Sequence, residues 1–277
     1  SKSSSEYGGT EGWHPIKYIN GTTIKLAGAN STNPYNGTSE TVVSYIINPI
    51  PTGSFPTGTI LFSLTRDGSS ESPIIIRGGW NPQTNTQDGI TIFDGYNKKS
   101  KGIVFKGCSY ITVSKIGFVR CESAFESQYL NKNPHNVTIE NIPVIGDCSY
   151  GVYLYDGSVM VRNLQFAFGV DDVFTTEDNG VSLDVDGVGI MSSIQSGLVA
   201  SRTARVKAIN IDKIIGYSNS SSTGIYINST RDSLVKVNLI SHCWIGMNYY
   251  TESLCGRAKI NTIRWCYYAI VLGGAKH

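Results

Sequence analysis

The most constraining feature of the sequence is a short pattern that occurs four times. Each copy has a cysteine, two further residues, a small residue and then an apolar residue, and the four copies begin at Cys121, Cys148, Cys243 and Cys266. Apolar, strand-like runs lie on both sides of each copy. The first two copies are 27 residues apart and the last two are 23 residues apart. A period in this range is typical of a solenoid, in which each turn is a small unit stacked on the next.

A longer match supports this interpretation. Five residues recur at a constant offset of 23: Lys236, Asn238, Ile240, Cys243 and Gly246 match Lys259, Asn261, Ile263, Cys266 and Ala269. In a solenoid, matched residues stack on one another along the molecule. We therefore expect Asn238 to lie against Asn261, where the two amides can share a hydrogen bond.

The cysteines are expected to form a second set of stacked positions. Neighbouring turns of such a stack are about 4.8 Å apart, which places Cys121 beside Cys148 and Cys243 beside Cys266. This spacing allows a disulfide bond, and it equally allows a ladder of buried free thiols that behave as small hydrophobic side chains. The sequence leaves both alternatives open. It contains no Cys-x-x-Cys pair, so a zinc site is not indicated.

The pattern of residue types in the sequence changes near residue 58. Residues 1–58 are irregular and rich in turn formers, and we interpret them as an N-terminal cap or entry segment. In residues 59–277, runs of four to six β-forming residues alternate with Gly, Asn or Asp, and helical periodicity is absent. Because a solenoid needs a terminal cap and the sequence ends shortly after a repeat strand, we expect residues 59–277 to be truncated at their C-terminal end.

The stretch 72–120 resembles the opening turns of the right-handed parallel β-helix superfamily, which includes pectate-lyase-like enzymes, phage tailspikes and surface adhesins. It has a strand that begins at a proline, followed by "ITIFDG", "GIVFKG" and "YITVSKIGF". The resemblance implies an all-β chain in which a right-handed parallel β-helix follows the irregular cap. It implies no single activity, because the same scaffold is found in lyases, hydrolases and inert fibres.

The amino-acid composition limits the kinds of partner and the cellular locations that we expect for the protein. The formal net charge is +2, which argues against nucleic acid as a partner, since that would call for a strongly basic surface. No apolar run approaches the roughly 20 residues of a membrane helix, so no membrane insertion is predicted. Charged residues make up 16% of the chain, below the roughly 25% that is usual. A surface of uncharged polar groups suits an extracellular, cell-surface or virion protein.

Carboxylates are crowded between residues 171 and 186. Glycosidases with a similar fold use grouped carboxylates as general acid and base, so the catalytic candidates are Asp171, Asp172, Asp184 and Asp186. The companion pattern Gly-His-Gly is absent, and the stretch Arg205–Asn210 is only a loose match to the companion Arg-x-Lys pattern. One alternative is a calcium site, the one cofactor that the sequence suggests, formed by Glu177, Asp178 and Asp186. The other alternative is a solvated loop.

Two aromatic residues are candidates for contact with sugar rings. Trp80 lies between a glycine and an Asn-Pro pair, at a predicted exposed corner. Tyr250 ends a strand-like run of alternating aromatic residues.

We expect these features to belong to a structural and recognition protein: a tail fibre, a tailspike-like virion protein or an adhesin that engages surface polysaccharide. The alternative is a polysaccharide lyase or glycoside hydrolase built on a β-helix, and the second alternative is a filament subunit that binds no ligand. By analogy with tailspikes, we also expect a homotrimer or membership of a larger assembly.

Overall fold

The computed structural model describes residues 58–79, 86–95, 98, 100–130, 132–177, 180–201, 204–217, 220–228, 233–250 and 257–273, together with the backbone of three strands nearer the N terminus. The strands of these parts are β1 (Ile16–Asn20), β2 (Thr23–Leu26), β3 (Ser44–Ile47), β4 (Thr59–Leu64), β5 (Ile74–Arg77), β6 (Ile90–Asp94), β7 (Ser100–Lys106), β8 (Ser109–Ser114), β9 (Ile116–Val119), β10 (Ser123–Gln128), β11 (His135–Gly146), β12 (Tyr150–Leu154), β13 (Ser158–Thr176), β14 (Ser182–Ala200), β15 (Arg205–Gly216), β16 (Thr223–Asn228), β17 (Leu234–Ser241), β18 (Ile245–Tyr250), β19 (Arg257–Arg264) and β20 (Tyr268–Gly273). In this part of the chain, no helix is long and apolar enough to cross a membrane.

From β4 onward the chain winds into a parallel β-helix with three stacks of strands. Stack I contains β4, β7, β10, β12, the last parts of β13 and β14, β16, β18 and β20. Stack II contains β5, β8 and the first parts of β11, β13, β14, β15, β17 and β19. Stack III contains β6, β9, the middle parts of β13 and β14, and the last parts of β11, β15, β17 and β19. Every pairing between neighbouring turns is parallel, so the all-β solenoid predicted from the repeats is confirmed.

The N-terminal region is described by its backbone alone. β1 and β2 form an antiparallel pair, whereas β3 pairs in parallel with β6 and adds a strand to stack III before residue 59. Most of the cap predicted for residues 1–58 lies outside the described residues, and the division at residue 58 stays a prediction.

Asparagines form ladders at the corner between stacks II and III. Asn141 and Asn163 have φ angles of 53° and 54°, a left-handed conformation that Asn tolerates better than most residues. The side-chain amide of Asn163 donates to Oδ1 of Asn141 over 3.2 Å. Further along the stack, Asn261 donates to Oδ1 of Asn238 over 3.3 Å, as predicted from the offset of 23. The asparagines at this corner therefore form hydrogen bonds between neighbouring turns, and the backbone changes direction at the same positions.

The core is a continuous column of inward-facing side chains. Alternation along each strand directs every second side chain inward, and Phe105, Phe125 and Phe174 are fully buried in stack I. The ring of Phe118, from stack III, meets that of Phe125 edge to face, with centroids 5.1 Å apart. The three stacks therefore share one hydrophobic core.

The four repeat cysteines lie where stack III leads into stack I, and they are free thiols. The backbone N–H of Cys121 donates to Sγ of Cys148 over 3.4 Å. Cys243 and Cys266 lie between residue pairs that share the same offset of 23. Burial raises the pKa of Cys243 to about 12, and contact with Cys148 together with burial raises that of Cys121. Of the two alternatives left by the sequence, the ladder of free thiols is the one observed.

A glycine lies next to the first cysteine of each ladder. A Cβ atom at Gly95 would lie 2.5 Å from Sγ of Cys121, and one at Gly216 would lie 2.9 Å from Sγ of Cys243. The neighbouring turn therefore has no side chain where the sulfur packs, which accounts for both glycines.

The buried core predicts a large difference between two phenylalanines that face opposite ways. Phe125 is 0% exposed, whereas Phe166 on the outer face of stack III is 51% exposed. We expect Phe125→Ala to lower the free energy of unfolding by about 3–5 kcal/mol and Phe166→Ala to lower it by less than about 1 kcal/mol. Urea unfolding followed by circular dichroism measures both values. Equal losses would contradict the assignment of Phe125 to a packed core.

The free-thiol ladder predicts a pattern of chemical labelling. Because Cys121, Cys148 and Cys243 are buried and Cys266 is half-buried, iodoacetamide should label Cys266 in the folded protein and the other three only after unfolding. Peptide mass spectrometry identifies the labelled sites. A peptide pair that is linked before reduction and separated after it would show a disulfide instead.

Candidate functional site

Three tyrosines form a row on the outer face of stack I. Tyr150 and Tyr153 belong to β12, and Tyr155 follows it directly. The rings of Tyr150 and Tyr153 are stacked, with centroids 4.4 Å apart and planes at 19°. Tyr155 meets Tyr153 edge to face, also at 4.4 Å. Tyr153 is 5% exposed and Tyr155 is 38% exposed, so the row is packed on one side and open to solvent at one end.

The neighbouring turns place polar side chains on both sides of this row. Ser123 and Asp172 are in register with Tyr150, and Glu126 and Thr175 are in register with Tyr153. The next outward positions are occupied by Gln128, Tyr155 and Glu177. We call these nine residues the tyrosine face: Ser123, Glu126, Gln128, Tyr150, Tyr153, Tyr155, Asp172, Thr175 and Glu177.

Glu126 is the most enclosed carboxylate of the tyrosine face, with a side chain that is 1% exposed. Its oxygens accept hydrogen bonds from Nζ of Lys101 at 2.8 Å, from Oγ of Ser123 at 2.7 Å and from the amide of Gln128. Burial acts to lower the pKa of Lys101, but the hydrogen bond and the charge of Glu126 outweigh it and raise that pKa. Glu126 is therefore held in place with its bonding capacity largely used.

Asp172 has a different environment on the other side of the row. Burial raises the pKa of its carboxyl to about 6. The charges of Asp171 and Glu177 also act to raise this pKa, whereas a hydrogen bond from Ser196 acts to lower it. Its Oδ1 atom is buried and has no hydrogen-bond partner among the residues that the structure describes, and the same is true of Oγ1 of Thr175. Buried polar atoms usually have partners, so these two atoms mark the part of the face that is suited to a ligand.

Tyr150 and Tyr153 remain neutral phenols. Burial and hydrogen bonds with Glu177 and Tyr155 raise the pKa of Tyr153 far above its usual value. Burial and the nearby charges of Asp172 and Glu177 raise the pKa of Tyr150. Each ring thus combines an apolar surface with an O–H donor, a combination suited to sugar rings and their hydroxyl groups.

The lysines near the tyrosine face are paired with carboxylates other than Asp172 and Glu177. Nζ of Lys98 lies 3.4 Å from Asp171 and 3.9 Å from Asp147, and Lys101 also reaches Glu122 at 3.7 Å. Within the described part of the chain, neither Asp172 nor Glu177 forms an ion pair. The end of the face that contains these two residues is therefore negatively charged.

The four catalytic candidates lie on two different stacks. Asp171 and Asp172 begin the last part of β13 in stack I, whereas Asp184 and Asp186 are in the first part of β14 in stack II. Asp186 is exposed and accepts a hydrogen bond of 2.7 Å from Asn210. The structure therefore brings Asp172 together with Glu177 rather than with Asp184 and Asp186.

The calcium prediction is only partly within the described residues. Glu177 follows the last strand of its turn in stack I, Asp186 lies in stack II, and Asp178 is outside the described part. Among the residues that the structure describes, no group of three or more His, Cys, Asp or Glu side chains could hold a metal ion.

Of the two aromatic residues predicted to contact sugar rings, the structure describes only Tyr250. Trp80 lies outside the described residues. Tyr250 ends β18 in stack I and is 52% exposed, several turns from the tyrosine row. A Cβ atom at Gly273 would lie 2.6 Å from its ring, so the ring packs over the backbone of the last strand.

A serine and a histidine also meet outside the tyrosine face. Oγ of Ser109 lies 3.1 Å from Nδ1 of His135. The nearby carboxylate of Asp67 interacts with Ser109 and Lys132, whereas in a hydrolytic triad the carboxylate orients the histidine. This group therefore lacks the arrangement that nucleophilic catalysis requires.

The outer face of stack III is apolar. A groove of about 330 Å³ is lined there by Val144, Phe166, Phe168 and Ile190, among other residues. Its lining has few polar groups, so it contrasts with the tyrosine face and offers little to orient a polar ligand.

Comparison with protein-family models, with curated proteins and with solved structures gives no match. The register of the strands defines the class of protein, a parallel β-helix. The role of the chain therefore has to be inferred from the tyrosine face.

The raised pKa of Asp172 predicts a specific pH dependence of stability. Between its ordinary value of 3.8 and about 6 the folded protein binds more protons than the unfolded chain, so stability falls as pH rises through this window and stays lowered above it. The groups that face Asp172 are Tyr150 on β12, Asp171 and Glu177 on its own turn, and Ser196 on β14. We expect Asp172→Asn to raise the melting temperature at pH 7.5 by about 2–4 °C and to leave it unchanged near pH 4.

Thermal melts of the wild type and the variant at several pH values test this dependence. Asp186→Asn is the matched control, because Asp186 is exposed and its replacement should not raise the melting temperature at pH 7.5. A constant difference between Asp172→Asn and the wild type at all pH values would contradict the assignment.

Proposed function

We propose that this chain is an extracellular, cell-surface or virion recognition protein that binds polysaccharide along its tyrosine face. The observation that carries the proposal is the row of three tyrosines with polar side chains on the turns before and after it. Aromatic rings provide stacking surface for pyranose rings, and hydroxyl and carboxyl groups provide hydrogen bonds to sugar hydroxyls.

The geometry of stack I suits an extended ligand. Successive turns present outward side chains at intervals of about 4.8 Å, so the face can bind a chain of sugars in several consecutive contacts. The hydrogen-bonded turns and the continuous core keep these side chains at fixed positions, which lowers the entropy lost on binding.

The contacts of Glu126 support binding over hydrolysis. A hydrolase of this type needs one carboxyl group as general acid and a second, free carboxylate that activates water. Asp172 has a pKa suited to an acid, and Glu177 beside it is hydrogen-bonded to the phenol of Tyr153. Glu126, across the tyrosine row, is 1% exposed and already accepts from Lys101 and Ser123. Such a carboxylate has little capacity left to activate water.

Glycan binding by single-tyrosine variants tests the proposal. Tyr155 is 38% exposed and lies in the row, whereas Tyr217 is 54% exposed and follows β15 outside it. On a panel of immobilised polysaccharides we expect Tyr155→Ala to weaken binding on the order of tenfold and Tyr217→Ala to leave it unchanged.

Two results would overturn the proposal. Absence of binding to every glycan, together with polymerisation of the chain, would favour a filament subunit. Release of new reducing ends or unsaturated uronates, lost in Asp172→Asn, would favour an enzyme.

A further inference from the structure

One end of the tyrosine face has hydrogen-bond acceptors that the described side chains leave unused. Oδ1 of Asp172 and Oγ1 of Thr175 are buried without a partner in the described part of the chain, and Thr175 is 4% exposed. The two residues are in register with Tyr150 and Tyr153, whose rings stack on each other, so their side chains belong to the same outer surface. Buried polar groups in proteins nearly always have partners, and an ionised carboxylate can be satisfied only by a donor.

The charge on this end is also unbalanced. On the other side of the tyrosine row, Glu126 is paired with Lys101 at 2.8 Å, and next to the row Asp171 is paired with Lys98 at 3.4 Å. Asp172 and Glu177 have no ion pair among the described residues. Two carboxylates that share one enclosed surface repel each other, and a bound cation would remove this repulsion.

The aromatic rings beside these carboxylates favour the same kind of ligand. Tyr150 and Tyr153 are the register neighbours of Asp172 and Thr175, and the phenol of Tyr153 interacts with Glu177. A cation within about 6 Å of a tyrosine ring is attracted to its face. An acidic sugar would be repelled by the carboxylates, and a neutral sugar would supply a donor without balancing their charge.

We propose that the tyrosine face recognises an amino-sugar polymer, and that a free amine of the sugar binds among Asp172, Thr175 and Glu177. The ammonium group donates to the unpartnered oxygens of Asp172 and Thr175 and reduces the net negative charge of the two carboxylates, Asp172 and Glu177. The sugar ring that bears it lies against the tyrosine row. This inference rests on the proposed function, since it names the class of polysaccharide for the same surface.

Isothermal titration calorimetry with matched oligosaccharides tests the inference. The ligands are a glucosamine hexamer, its fully N-acetylated counterpart, an oligogalacturonate and tetralysine, each titrated into the purified chain at neutral pH. We expect the glucosamine hexamer to bind at least tenfold more tightly than the other three ligands. We also expect its affinity to fall with added salt, because the contact is between charges.

Two variants then test which residue produces the preference for the glucosamine hexamer. Asp172→Asn keeps the shape of the side chain and removes its charge, and it should reduce the preference for the free amine to less than about threefold. Asp186→Asn, on stack II, is the matched control and should keep the full preference. Circular dichroism confirms that both variants are folded.

The outcomes separate this inference from the proposed function. Equal or tighter binding of the N-acetylated hexamer or of the oligogalacturonate would overturn the amino-sugar assignment and leave polysaccharide binding in place. Tetralysine binding as tightly as the glucosamine hexamer would overturn the assignment to a sugar. No binding of any oligosaccharide would overturn both.

Discussion

The parallel register between successive turns is the constraint on which the rest of the structure depends. Along stack I, residues that lie next to each other are separated in sequence by as few as 22 residues, from Tyr153 to Thr175, and by as many as 41, from Thr59 to Ser100. The strands stay aligned because the connections between stacks absorb the difference in length. This alignment keeps every inward position over another inward position, so one core runs through all the turns.

The same register creates the tyrosine face. Glu126, Tyr153 and Thr175 are far apart in sequence, yet each occupies the equivalent outward position on its own turn. Their proximity changes their chemistry: Tyr153 interacts with Glu177, and the enclosed setting of Asp172 raises the pKa of its carboxyl. A shift of one residue in one strand would direct these side chains into the core. The positions of the site residues therefore depend on the same strand register as the fold.

Much of the fold could be predicted from the sequence because stacked turns repeat their residue types. The offset of 23 identified the contact between Asn238 and Asn261, and the four cysteines identified a corner of the solenoid. The bonding state of the cysteines was left open, because a spacing in sequence does not fix the geometry of two sulfur atoms.

The site was much harder to predict. The motif Tyr-x-x-Tyr-x-Tyr at 150–155 places Tyr153 and Tyr155 on one face of a strand, which was an available signal for the row. The carboxylates on the neighbouring turns could not be found in the same way, since turn length varies and only the register shows that Glu126 lies beside Tyr153. The grouping of Asp171, Asp172, Asp184 and Asp186 relied on closeness in sequence, whereas a change of stack separates the two pairs.

The tyrosine face comes from three consecutive turns, while the molecule contains many more. Each turn of a solenoid contacts only its immediate neighbours. An ancestral duplication or loss of a whole turn outside the tyrosine face would therefore change the length of the solenoid and leave the site unchanged. Insertion of a turn between Glu126 and Tyr153 would instead separate the two sides of the site. The length of such a protein and its specificity can for this reason evolve independently.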